Sequence, residues 1–323
     1  MMNKHDVLQA IRELHARGEL SRSEVLHALE GKHGSHGGRG FKITDVLYFL
    51  GGIIVLSGIT VFIGQHWEEL NSLTRVLVTF GSGVAAYAVG LTFLQRTEYR
   101  FLSGTFFFLS ALLIPTGIAV ALHEWGNSSD IVFAEVIISF LSLLTYAASY
   151  AVFKKHYFLT FSIIFATWFF FALTNWMTAD NPVFNGETFM EYRVLVTGLS
   201  YMLLGYSFRN NSLSSFTRPL YTIGALGFLM AAFALGGFDR DTFTLWEFMF
   251  PALCFGFIFL STMVRSNEFL FAGSFFLMVD IFKITSDYFT DSFGWPLSLI
   301  LCGIALIVIG FVTLRVQKKY IRD

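Results

Sequence analysis

The sequence predicts an all-α fold: a polytopic transmembrane helical bundle of about ten spans, with a short N-terminal cytoplasmic helical hairpin. Three observations carry that prediction. Apolar residues make up 54% of the 323 residues and charged ones only 14%, about half the charged share of an ordinary soluble domain. The apolar residues fall in blocks of about twenty, and about twenty helical residues cross a bilayer core. Lys and Arg gather between alternate blocks, as the retention of positive charge on the cytoplasmic side requires.

Residues 1–42 precede the first block and residues 43–323 form the bundle. Residues 3–30 read as two short helices, the first with Val7, Leu8, Ile11 and Leu14 on one face. The chain turns at Gly18, and Ser21 with Glu24 three residues later makes a capping box for a second helix carrying Val25, Leu26 and Leu29. So short a hairpin buries too little surface to stand alone. It is expected to pack on a second copy, making a homo-oligomer, on a cytoplasmic protein partner or on the membrane surface. A Gly-rich linker follows from Gly31 to Gly40, and its His33 and His36, with His27, have no rigid scaffold to fix them on a metal. The polar start lacks the pattern of a cleaved signal peptide, so the first span is expected to serve as a permanent anchor.

Polar punctuation divides the bundle into spans near 44–65, 75–95, 101–122, 131–153, 157–177, 192–208, 220–236, 245–264, 269–287 and 295–314. With the N-terminus inside, the cytoplasmic segments hold 18 Lys and Arg residues and the external ones three, Arg75, Arg193 and Arg240. Lys283 is left over, inside the ninth span. Trp67, Trp125, Trp176, Trp246 and Trp295 fall at external ends, where indoles prefer the interface, and Trp168 alone lies within a span. Twelve Asp and Glu residues lie on the external side, as follows when basic residues are depleted from translocated loops. Three spans start alike, at Arg100, Lys155 and Asn267, each with an aromatic-rich first turn. That similarity predicts duplicated helical hairpins. Ser82, Ala86 and Gly90 form a small-residue stripe suited to close helix packing.

Asp280, Lys283 and Asp287 are the most informative residues. Their i, i+3, i+7 spacing puts them on one helix face with Gly273 and Phe276, in the outer half of the membrane. A charge there costs at least about 2.5–3.5 kcal/mol, so such groups face a bundle interior or a watery cavity and mark ion or solute routes. Mutual neutralisation of Asp280 and Lys283 is the structural alternative. Glu135 lies about one turn inside the external end of the fourth span. Two external clusters, His66 with Glu68 and Glu69, and His123 with Glu124, complete the polar set. An outward vestibule would gather them, and interfacial anchoring is the simpler reading of the two clusters. Cys254 and Cys302 lie in different apolar blocks and form no CxxC pair. No cofactor motif, metal site or nucleophile–base pair stands out, and nothing supports nucleic-acid binding; the lipid bilayer is the partner that composition implies.

The stretch Leu50–Leu70, LGGIIVLSGITVFIGQHWEEL, with Arg75 after it, resembles the bacterial family of predicted membrane proteins called domain of unknown function 2157. The resemblance covers mainly residues 5–95 and rests on a Gly-rich first span ending in a His-Trp-Glu signature, with His66 where Asn is commoner. It implies multi-pass residence in a bacterial cytoplasmic (inner) membrane and carries no activity. The expectation from the residues themselves is a small-solute or ion transporter using the polar cluster around Asp280. The competing expectation is a membrane scaffold that recruits a partner through the N-terminal hairpin.

Overall fold

The computed structural model describes residues 64–94, 100–126, 131–179, 186–236 and 245–285, with isolated positions at 13–14, from 47 to 61 and from 300 to 315. All regular secondary structure among them is helical. In chain order the helices are α1 (Ser72–Leu94), α2 (Arg100–Trp125), α3 (Ile131–Phe153), α4 (His156–Thr178), α5 (Glu187–Phe208), α6 (Thr217–Leu235), α7 (Leu245–Val264) and α8 (Asn267–Ile284). Each coincides with one predicted block between 75 and 287. The largest shift is at α5, which starts at Glu187 rather than 192, because Glu187, Glu191 and Arg193 interrupt an apolar block without interrupting a helix.

Six of these helices are long and apolar enough to cross a membrane: α1, α2, α3, α4, α6 with its preceding turn, and α7. The other two, α5 and α8, are diluted by charge, α5 by Glu187, Glu191 and Arg193 and α8 by Glu268, Asp280 and Lys283. The described positions inside the first and tenth predicted blocks are helical, as are Glu13 and Leu14. The remainder of those two blocks and of the N-terminal hairpin lies outside the described residues.

The chain divides into two compact units, Met1–Val78 with Val84–Ser110, and Thr79–Gly83 with Ala111–Asp323. In the first, Phe107 is fully buried, meets Tyr87 edge-on at 5.3 Å and lies against Gly90, where an added Cβ would stand 3.0 Å from its ring. The Ser103 hydroxyl donates to the Gly90 carbonyl at 3.0 Å, fastening the same crossing. In the second unit, Gly83 approaches the backbone nitrogen of Ile114, and Gly117 lies against the backbone of Phe80. Phe80 belongs to a π-helical stretch in α1, Leu77–Gly81, a form of local unwinding that helices adopt in single turns. The small-residue stripe needs one correction. Ser82 is exposed, with its hydroxyl turned back to the Thr79 carbonyl at 2.9 Å, and Gly83 makes the close approach instead.

Within the second unit the helices pair as consecutive hairpins, α3 with α4, α5 with α6 and α7 with α8, and α6 also packs on α7 and α8. Tyr146 of α3 is fully buried among Phe161 and Phe165 of α4, each 5.3 Å away. A second cluster joins Tyr221 and Leu229 of α6, Phe250, Cys254 and Phe257 of α7, and Phe269 and Phe276 of α8. The α3–α4 and α7–α8 turns are alike: Lys154 and Arg265 both take positive φ, 50° and 52°, and each is followed by one residue before the next helix. A basic side chain at a helix C-terminus also meets the negative end of its dipole. This likeness sits at two of the three predicted repeat starts, Lys155 and Asn267.

Candidate functional site

The site grows from the antiparallel seam between α7 and α8. Near the beginning of α8, Gly273 lets the helices close: a Cβ there would stand 2.8 Å from the Cys254 carbonyl oxygen. One turn on, Phe276 meets Phe250 edge-on, with ring centres 6.2 Å apart. At the far end Lys283 of α8 reaches Glu247 of α7, Nζ to Oε1 3.2 Å, with each side chain 12% exposed. Between the Phe276 contact and this ion pair lies Asp280, which is 3% exposed. Its Oδ2 has no hydrogen-bond partner among the described residues.

Among the described residues the Lys283 ammonium makes its ion pair with Glu247 and not with Asp280. A lysine stem lets its ammonium travel toward the helix end, and there it meets Glu247. Both Glu247 and Lys283 remain within electrostatic reach of Asp280. Among the described residues, two carboxyl groups, those of Glu247 and Asp280, thus lie near the Lys283 ammonium. Pro251 stands inside α7 and has no N–H to give the carbonyl four residues back.

Glu247 is the component that sequence reasoning placed elsewhere, among the external acids. The available signal was its position two residues inside an apolar block, at the membrane depth of Lys283. The other predicted residues are distributed along the chain. Glu135 sits in the second turn of α3 and accepts from Trp168 Nε1 of α4 at 2.8 Å, which explains why one tryptophan lies inside a span. That bond belongs to the α3–α4 hairpin, and no bond joins it to the Asp280 seam among the described residues. His66 is exposed and precedes the turn Trp67–Glu69, which contains Glu68 and Glu69. Arg75 braces this turn, donating from Nε to the Trp67 carbonyl at 3.0 Å with its guanidinium 5.3 Å from the indole centre. His123 and Glu124 close the end of α2. Asp287 lies outside the described residues. No group of three His, Cys, Asp or Glu side chains gathers among the described residues.

Two further features escaped the sequence. Arg193, counted among external loop cations, lies inside α5 between the rings of Phe189 and Phe171, 4.9 and 5.3 Å from its guanidinium carbon, and donates to the Phe171 carbonyl at 3.3 Å. A cavity of about 390 Å³ opens between α4 and α5. Its wall is apolar apart from a few hydroxyls, among them Thr167 and Tyr201, whose oxygens are 2.7 Å apart. Neither feature involves Asp280.

No curated protein and no solved structure matches the chain. Residues 13–151 match the family model described as predicted membrane protein (DUF2157). The match runs past the resembling stretch, through α1 and α2 and nearly to the end of α3, and so includes Glu135, while Asp280, Lys283 and Glu247 lie beyond it. A multi-pass membrane protein is what the family description and the apolar helices jointly suggest, and the similarity to the predicted membrane protein family DUF2157 extends over residues 13–151, less than half of the chain.

Proposed function

We propose that this protein moves a small solute or ion across a bacterial cytoplasmic membrane, with both termini inside and Asp280 as the group that takes up a proton or cation. The observation that carries this reading is the buried Asp280 carboxyl beside the Lys283–Glu247 pair, with its Oδ2 lacking a hydrogen-bond partner among the described residues. A buried carboxylate with an unsatisfied oxygen in an apolar seam is disfavoured. It must take a proton, bind a cation or gain access to water, and each of these is a step that a transporter uses. Direction follows from the 18 to three division of Lys and Arg, which favours an inside location for both ends.

Asp280→Asn tests this reading, because it keeps the shape and removes the exchangeable charge. In proteoliposomes under an imposed potential, with trapped dyes reporting H⁺, Na⁺ or K⁺, the wild type is expected to exceed empty vesicles and the variant to lose about tenfold or more of that flux, at least about 1.4 kcal/mol on the barrier. Thermal stability should hold or rise, since an unfavourable buried carboxyl is gone. Wild-type flux in a folded Asp280→Asn protein, or no flux of any of the three ions in the wild type, would sink the proposal.

A further inference from the structure

We propose a phosphate-binding site where α6 and α8 begin, taking the phosphate of an anionic lipid headgroup or of a soluble phosphate ester. It is independent of the Asp280 seam, which lies toward the other end of α8, and in the proposed orientation it faces the cytoplasm.

A cavity of about 210 Å³ opens here, ample for a phosphate group with its remaining water, each water taking about 30 Å³. Three guanidinium groups line it: Arg209 just after α5, Arg218 in the first turn of α6, and Arg265 in the α7–α8 turn. Guanidinium is the side-chain group best matched to phosphate, because its planar donors engage two oxygens at once. One acid intrudes. Glu268 lies 3.7 Å from the Arg218 guanidinium and accepts from the Ser266 hydroxyl at 2.7 Å. Three cations against one carboxylate leave the lining with a formal charge of +2. The Arg218 side chain is 86% exposed, so its contact with Glu268 is a weak one that an entering phosphate can outcompete. Arg209 and Arg265 have no carboxylate partner among the described residues.

Basic residues at a cytoplasmic helix end would be present for topology alone. The hydroxyls beneath them are a separate observation. Tyr221 is 3% exposed and lines the cavity, yet its OH has no hydrogen-bond partner among the described residues. Thr217, one helical turn earlier on the same face of α6, has a buried Oγ1 in the same condition. A buried hydroxyl without a partner is unfavourable, and two of them opening into one cavity under three arginines are donors that lack an acceptor. Phosphate oxygens supply that acceptor. The start of α8 contributes as well: its cap residue Ser266 makes no side-chain bond to the backbone, its hydroxyl being turned to Glu268, which leaves the helix N-terminus able to attract an anion.

The test uses the full chain purified in neutral detergent, with thermal unfolding as the readout. Inorganic phosphate is compared with chloride at equal ionic strength, and phosphatidylglycerol with phosphatidylcholine in mixed micelles. A rise in melting temperature with phosphate identifies soluble phosphate esters, and a rise with phosphatidylglycerol alone identifies a lipid headgroup. Either rise should shrink in Arg209→Gln/Arg265→Gln. It should also shrink in Tyr221→Phe, whose apparent affinity falls about tenfold through loss of a hydrogen bond to a charged group. Tyr221→Phe removes only a hydroxyl without a partner among the described residues, so its melting temperature without ligand should equal or exceed that of the wild type and show that the protein is folded. Absence of both rises in the wild type overturns the proposal, and so does a rise that survives unchanged in Tyr221→Phe.

Discussion

Replacing Lys283 with Met should lower stability by about 3–5 kcal/mol, the expected effect of removing one partner from a buried ion pair. Lys283 and Glu247 are each 12% exposed, so water cannot take over the role of the lost ammonium. The change would leave Glu247 and Asp280, two carboxyl groups of one seam, without the Lys283 ammonium that lies near both. Neutralising Glu247 as well, in Lys283→Met/Glu247→Gln, should recover most of the loss, because the larger part of the penalty is the orphaned charge. Thermal unfolding of the two variants in detergent separates these cases. Equal destabilisation of both would show that Lys283 acts through packing of its stem.

The second large effect belongs to the crossing of α5 and α6. Gly198 and Gly224 face each other there: a Cβ on Gly198 would stand 2.7 Å from the Phe228 nitrogen, and one on Gly224 2.8 Å from the Gly198 carbonyl oxygen. Both obstacles are backbone, so no rotamer change relieves them. Gly224→Leu should therefore force the helices apart and cost about 3 kcal/mol, the upper part of the usual range for overpacking. Gly227→Leu is the matched control, since the nearest atom to an added Cβ there is 4.0 Å away. Yield and melting temperature should fall for the first variant and stay near wild type for the second.

These two sites differ in how far the sequence reveals them. Helix positions from 75 to 287 were legible because in lipid each spanning segment must satisfy its own backbone and carry its own apolar surface, and both requirements are local. Helix ends were less legible where charge sits inside a helix, as at Glu187, Glu191 and Arg193. The prominence of Asp280 was also legible, because charge in an apolar block is conspicuous. Its surroundings were not. Lys283 is three residues from Asp280 in sequence, but its partner Glu247 lies on the neighbouring helix, and only the register of α7 against α8 brings the two together. The same holds for Glu135 and Trp168, and for the arginines at the α6 and α8 starts, whose even spread along the sequence reflects topology. Tyr221 gave no signal at all, because an aromatic in an aromatic-rich bundle becomes informative only once its hydroxyl is found without a partner.

The central claim is that Asp280 exchanges protons or cations from within the membrane. Apolar carbodiimides modify protonated carboxyl groups in apolar surroundings, so labelling of the folded protein with dicyclohexylcarbodiimide, mapped by mass spectrometry, tests the claim most directly. Adduct formation is expected at Asp280, slowed by alkaline pH or by the transported cation. Contradiction would be an Asp280 that stays unmodified in the folded protein at every pH while the detergent-unfolded chain is modified there.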